Sequence, residues 1–222
     1  MEENIKEDFK EKRKKLYNKY ANEIIEWAFA IVIALVLAYF IKGFVGTFTT
    51  VQQQSMVPTL QNNEKLWLNK LPKTFKKNFD VGDIVTFESP IIGGVYISNE
   101  SPKAVYKGED TFILSMMKNL FEYDKVSLIK RIVAKEGDRV IIRDGNVFVN
   151  DVKLKEEYLS QNIKTFSNVL NDFIVPKGYY FVMGDNRGKS TDSREIGCIP
   201  KEKIDGKVFN RVWPLTKFGK VK

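Results

Sequence analysis

Two periods of hydrophobicity divide this chain. From Ile24 to Ile41 it is apolar apart from Glu26, and with Gly43-Phe44-Val45 the run reaches the ~20 residues a bilayer core requires. Trp27 and Tyr39 stand near its ends, as interfacial aromatics do. The pattern predicts a transmembrane anchor over 23–45. Before it, in a leader over 1–22, Ile5, Phe9, Leu16, Tyr17 and Tyr20 fall at roughly helical spacing, while Lys12, Arg13, Lys14, Lys15 and Lys19 crowd towards the apolar run. That reads equally as a basic amphipathic helix on a membrane surface or as a solvated helical leader.

Beyond Ser55 the period drops to two. Strands are predicted at 65–71, 83–87, 172–175, 179–183 and 206–213. Arg139-Val140-Ile141-Ile142-Arg143 and Asn146-Val147-Phe148-Val149-Asn150 flank Asp144-Gly145, a strong hairpin signal. The predicted class is mainly β: a single N-terminal transmembrane helix followed by a folded-over β-barrel or sandwich over 46–222. Residues 98–125 fit less well and read as an insertion, with an amphipathic helix over 111–121.

Charge and composition narrow the chemistry. The net charge of +8 is spread along the 222 residues, with no zinc-finger spacing and no RNP-like motif, so nucleic acid is a weak alternative partner. More basic residues precede the apolar run than follow it, which keeps the N-terminus in the cytoplasm and puts residues from about 45 onward outside. An uncleaved anchor crossing once is better supported than a cleavable signal peptide, because run and leader are both long and no small-residue cleavage pair follows. One cysteine, Cys198, excludes an intrachain disulfide. The chain has no histidine, which removes Ser-His, Cys-His and His-metal mechanisms together. A serine nucleophile here would need another base, and a lysine of lowered pKa is the realistic candidate.

Three stretches could carry such chemistry. Ser55, in Gln54-Ser55-Met56-Val57-Pro58-Thr59-Leu60, reads as a presented nucleophile or as a plain turn hydroxyl. If 126–134 is a strand, Val126, Leu128, Lys130, Ile132 and Ala134 share a face on which Lys130 alone is polar. Desolvation would favour its free amine, whereas at a strand edge it would snorkel to water. The polar loop 183–197 follows an apolar strand; its arginines and lysine argue against a cation site, and Asp192 pairing with Arg194 would brace Ser190 so that its hydroxyl orients Lys130.

Ser55-Met56-Val57-Pro58-Thr59-Leu60, Gly82-Asp83-Ile84-Val85, Lys130-Arg131-Ile132-Val133 and Gly184-Asp185-Asn186-Arg187 through Ser190-x-Asp192-Ser193-Arg194 occur in order. In this the chain resembles the bacterial type I signal peptidases, which work by a serine/lysine dyad. The resemblance implies Ser55 as nucleophile, Lys130 as general base, and Ser190, Asp192 and Arg194 as support. It also implies a membrane-anchored endopeptidase that cuts signal peptides from exported preproteins after a small residue, at the outer face of the bacterial cytoplasmic membrane. The lipid bilayer and the preproteins are then partners, with the translocation machinery a further candidate; no cofactor or metal is implied. Two positions depart from the pattern. Gln53 stands where a small or hydroxyl residue is common, so the Ser55 backbone is the safer oxyanion donor and Gln53 stays open. Lys189 stands where asparagine is common. Rival readings are a relative devoted to one precursor and an anchored binding domain without catalysis.

Overall fold

The computed structural model describes residues 2–93, 96–108, 111 and 126–221. The chain forms two compact units, Met1–Lys42 and Gly43–Lys222. In the first, helix α1 (Glu2–Phe40) runs 39 residues without a break at residue 22, so leader and apolar run are one helix. At 1.5 Å per residue it is about 58 Å long, roughly twice the hydrocarbon thickness of a bilayer. Its most apolar window, of mean hydropathy 2.5, is wholly unburied. A helix apolar on all sides with no protein core to enter suits lipid. A short π-helical stretch, Ile41–Val45, follows.

The second unit is β-rich, with strands β1 (Gly46–Thr50), β2 (Lys65–Asn69), β3 (Ile84–Glu88), β4 (Ser127–Lys135), β5 (Arg139–Arg143), β6 (Asn146–Val149), β7 (Val152–Lys153), β8 (Asp172–Ile174), β9 (Tyr179–Met183), β10 (Ile199–Pro200), β11 (Ile204–Trp213) and β12 (Gly219–Lys220). Helix α2 (Leu71–Thr74) and helix α3 (Ser193–Ile196) are single turns. The larger sheet runs β1-β2-β11-β3-β4-β9-β10 with β12 beside β11, and the smaller runs β7-β6-β5-β8. Every described pairing between strands is antiparallel. Each strand expected from the alternating pattern is present, and the Asp144-Gly145 turn has φ of 53° and 78°, the left-handed pair that a two-residue hairpin needs.

Strand β1 was not legible, because Gly-Thr-Phe-Thr-Thr directly continues the apolar run. Its partner is β2, from Gly46 opposite Asn69 to Thr50 opposite Lys65. A Cβ at Gly46 would collide with the Leu68 carbonyl and the Trp67 ring, so the close approach needs glycine.

Three buried clusters hold the unit together. One, containing Phe79, Phe87, Leu128, Ile132, Val182 and Ile199, lies on the larger sheet. A second joins Ala134, Phe181 and Met183 of the larger sheet to Val140, Val147 and Phe173 of the smaller, and so packs one on the other. A third, with Met56, Leu60, Leu66, Leu68 and Val208, underlies the loop that carries Ser55. Within the expected insertion, the backbone of Pro102–Ala104 is bonded to Cys198: Ala104 N donates to Cys198 O at 2.9 Å and Cys198 N to Pro102 O at 2.6 Å. The helix expected over 111–121 lies outside the described residues, Thr111 excepted.

Candidate active site

Ser55 sits in a loop that leaves and returns through one gate. Val51 N donates to Glu64 O at 2.9 Å and Asn63 N to Val51 O at 2.7 Å, closing its base. Met56 and Leu60 are both fully buried and plug it into the core beneath. Between them Leu60 N donates to Met56 O at 2.9 Å, making one tight turn around the cis Val57–Pro58 bond. The loop is then clamped to residues after β9: Asn186 N donates to Ser55 O at 2.9 Å, and Asn186 Nδ2 to Gln54 O at 3.1 Å. Apolar anchors on one side and backbone bonds on the other leave Ser55 only 4% exposed.

Strand β4 delivers Lys130 to it. Lys130 pairs with Val85 of β3, is 1% exposed, and its Nζ lies 2.7 Å from Ser55 Oγ. Burial pushes its pKa down from the ordinary 10.5 to about 8, against the opposing pull of the Asp192 carboxylate. A neutral amine at that distance accepts a proton from the hydroxyl. The strand departs from simple alternation at both ends. Val126 precedes it and is exposed, and the register with β9 slips between Ile132 and Ala134. Ala134 therefore joins Val133 in the second cluster instead of continuing the Lys130 face.

Behind the lysine, Asp192 caps α3 and accepts from the Arg194 backbone at 3.2 Å, from Arg194 Nε and Nη2 at 2.9 Å each, and from Gly184 N at 2.9 Å. Arg194 in turn donates to the carbonyls of Arg187 at 2.8 Å and Phe166 at 3.2 Å. This fully satisfied pair sets the shape of the loop. The Ser190 hydroxyl is buried and has no hydrogen-bond partner among the described residues. It shares with the Ser55 carbonyl the space beside Gly184, where a Cβ would strike both. The expected bond from Ser190 to Lys130 is thus not formed here.

Seven residues had no role in the sequence reading. Arg131 Nε and Nη2 hold the Asp185 carboxylate at 2.9 and 2.7 Å, Thr59 Oγ1 donates to the same carboxylate at 2.5 Å, and the guanidinium lies 4.0 Å from the centre of the Tyr158 ring. A further arginine, Arg187, is paired with Glu156 and donates to Thr165 Oγ1 at 2.6 Å. The signal available was an arginine inside an apolar strand and an aspartate at the end of another; their partnership spans 54 residues. On the open side, Gln53 is exposed and lines a groove of about 220 Å³ with Thr50, Thr86, Ser127 and Ile129. Gln53 and Ile129 of the groove lining are sequence neighbours of the Ser55 loop and of Lys130.

A β domain that holds a serine hydroxyl 2.7 Å from a buried lysine amine has the arrangement of a serine hydrolase. The sequence is more specific: residues 24–213 match the family described as "Signal peptidase, peptidase S26". The chain belongs to that family and is a serine endopeptidase. It is 36% identical to Signal peptidase I P of Bacillus subtilis subsp. natto over 205 residues, covering 89% of this chain and 90% of that protein. It is 34% identical to the chloroplastic Thylakoidal processing peptidase 1 of Arabidopsis thaliana over 200 residues, 90% of this chain but only 52% of that longer protein. A crystal structure of a signal peptidase I from Enterococcus faecalis shares 26% identity at a TM-score of 0.38, over 60% of this chain and 97% of that one.

Proposed function

We propose that this protein is a membrane-anchored endopeptidase that removes N-terminal signal peptides from exported preproteins, with Ser55 as nucleophile and neutral Lys130 as general base. The observation that carries the reading is the 2.7 Å contact between the buried Lys130 Nζ and Ser55 Oγ, in a chain of the signal peptidase family. Lys130 takes the hydroxyl proton as Oγ attacks the scissile carbonyl, and returns it to the leaving amine as the peptide bond breaks. The acyl-enzyme then reacts with a water that Lys130 deprotonates, and the released carboxylate belongs to the signal peptide. The Ser55 backbone N–H is assigned to the oxyanion, with Gln53 at the groove as the open second position.

The preprotein lies extended in the groove between 49–53 and 126–129, adding its backbone to the sheet edge. Residues 1–22 form the cytoplasmic leader, 23–45 the anchor, and 46–222 the extracytoplasmic peptidase domain at the outer face of the bacterial cytoplasmic membrane. This places the site where bilayer-held signal peptides emerge from the translocation machinery. Asp192 and Arg194 support the site by fixing the loop behind Lys130, and Ser190 orients the amine once substrate displaces it.

The test is cleavage of a radiolabelled precursor with an Ala-x-Ala signal peptide by detergent-solubilised protein and its Ser55→Ala and Lys130→Met variants. Cutting after the second alanine by the wild type alone is expected. Cutting by either variant removes that residue from its role, and no cutting by the wild type favours a dedicated precursor or a binding domain.

A further inference from the structure

We infer that Arg211 is a positioning residue, a strut that sets the Ser55 loop against the strand bearing Lys130; the inference rests on Ser55 being the nucleophile. Arg211 lies on β11 opposite Leu66 of β2, and the pairing slips on either side, between Val208 and Asn210 and again between Arg211 and Trp213. Irregularities of this kind re-aim side chains. Here the guanidinium reaches two parts of the Ser55 loop at once. Nη2 donates to the Thr59 carbonyl at 2.7 Å, and Nε pairs with Glu64 Oε2 at 2.8 Å.

Those two contacts are mechanically distinct. Glu64 is at the closed base of the loop, where its carbonyl receives Val51 N, and its side chain is 4% exposed. Thr59 is on the far limb, four positions after Ser55, and within the turn that Leu60 N closes on Met56 O. The same Thr59 is gripped from the opposite side, since its hydroxyl donates to Asp185, and Asp185 is held twice by Arg131, the neighbour of Lys130. A continuous chain of polar contacts thus runs from Glu64 through Arg211, Thr59, Asp185 and Arg131 to the residue beside the base. It fixes the limb of the loop relative to β4 independently of the Ser55–Lys130 contact itself. The guanidinium hydrogen-bonds the Thr59 carbonyl while setting its charge against Glu64 as an ion pair without a hydrogen bond, and a lysine ammonium, a point charge without the planar fork, does not reproduce that placement. Lys217, 3.6 Å from Glu64 and 3.0 Å from Gln61 Oε1, keeps the base of the loop partly neutralised without reaching Thr59.

The test compares full-length wild type, Arg211→Gln, Arg211→Lys and Ser55→Ala in detergent on a fluorogenic signal-peptide substrate, reading kcat, KM and thermal midpoint at a temperature where each is folded. A displaced limb misaligns hydroxyl and amine without altering the groove, so kcat of Arg211→Gln falls by about ten- to a hundredfold while KM stays within about twofold. Arg211→Lys lies between the two. A kcat within about twofold of wild type, or a loss carried wholly by KM, overturns the inference. So does complete recovery in Arg211→Lys, which would mean that neutralising Glu64 is all that is needed. Should Arg211→Gln not fold, Arg211→Lys alone decides by the same kcat criterion. Ser55→Ala separates the two levels: residual cutting there defeats the nucleophile assignment, whereas an inactive Ser55→Ala beside an unchanged Arg211→Gln defeats only the strut.

Discussion

Lys130 is the side chain whose environment asks most of the fold. Its pKa of about 8 against an ordinary 10.5 means that the folded protein binds this proton more weakly than the unfolded chain. The sign follows from linkage: burying Lys130 destabilises the fold in full below pH 8, where the lysine is charged in both states, and the effect fades as pH rises from 8 to 10.5, the range in which unfolding takes up the proton. The shift corresponds to about 3 kcal/mol. Lys130→Met, which keeps the stem and removes the nitrogen, is expected to be more stable than wild type by about that amount at pH 7 in urea titrations, with the gap closing towards pH 10.5. Activity has the complementary profile. The rate should rise about tenfold per pH unit below 8 and level above it; a limb as high as that of a free lysine would contradict the burial argument. Ser190 makes a different prediction, because a buried hydroxyl without a partner carries a desolvation cost that no hydrogen bond offsets. Ser190→Ala should keep or raise the thermal midpoint and lower kcat by about tenfold if the hydroxyl orients the amine during turnover. An unchanged kcat would take it out of the site.

Strand β4 does two jobs on two faces. Lys130 points to Ser55, while Arg131 points the other way and ties the strand to Asp185 at the end of β9. The pair is shielded, with Arg131 and Asp185 side chains 5% and 0% exposed. Removing one partner leaves the other charge buried alone. Asp185→Asn should therefore destabilise the domain by about 3–5 kcal/mol in urea unfolding, and a paired apolar replacement of both residues should recover much of that. A loss below about 1 kcal/mol would show that water reaches the pair. The bulge at Val133 completes the element, since it lets one strand feed the first cluster with Ile132 and the second with Ala134.

For the molecule as a whole, all three core clusters and every site contact described lie within Gly43–Lys222, while α1 carries apolar surface without a core. A chain beginning at Gly43 should fold and cut a soluble peptide at near the full-length rate. If α1 is the proposed anchor, that chain's cleavage of a precursor embedded in vesicles should fall by about a hundredfold, because two molecules held in one bilayer meet at a higher effective concentration. Equal loss on both substrates would show instead that α1 supports the site directly.

Residue order alone determined the elements whose physics is local. The long apolar helix followed from unbroken hydrophobicity, the β5–β6 hairpin from Asp144-Gly145 between alternating residues, and the exclusion of histidine chemistry from composition. The ordered motifs drew Ser55 and Lys130 together by resemblance, and an apolar strand face argued for burial of the amine. Tertiary structure decided what depends on long-range juxtaposition. Ser55 and Lys130 are 75 positions apart, and their 2.7 Å contact needs β4 in register with β3 and the Ser55 loop plugged by Met56 and Leu60. Arg131–Asp185 and Glu64–Arg211 were invisible for the same reason: a charge in an apolar strand announces that a partner is required, but nothing local says which residue it is. Where Ser190 points, and that Ala134 leaves the Lys130 face, follow from a close approach at Gly184 and a register slip, which arise only when strands distant in sequence pack side by side.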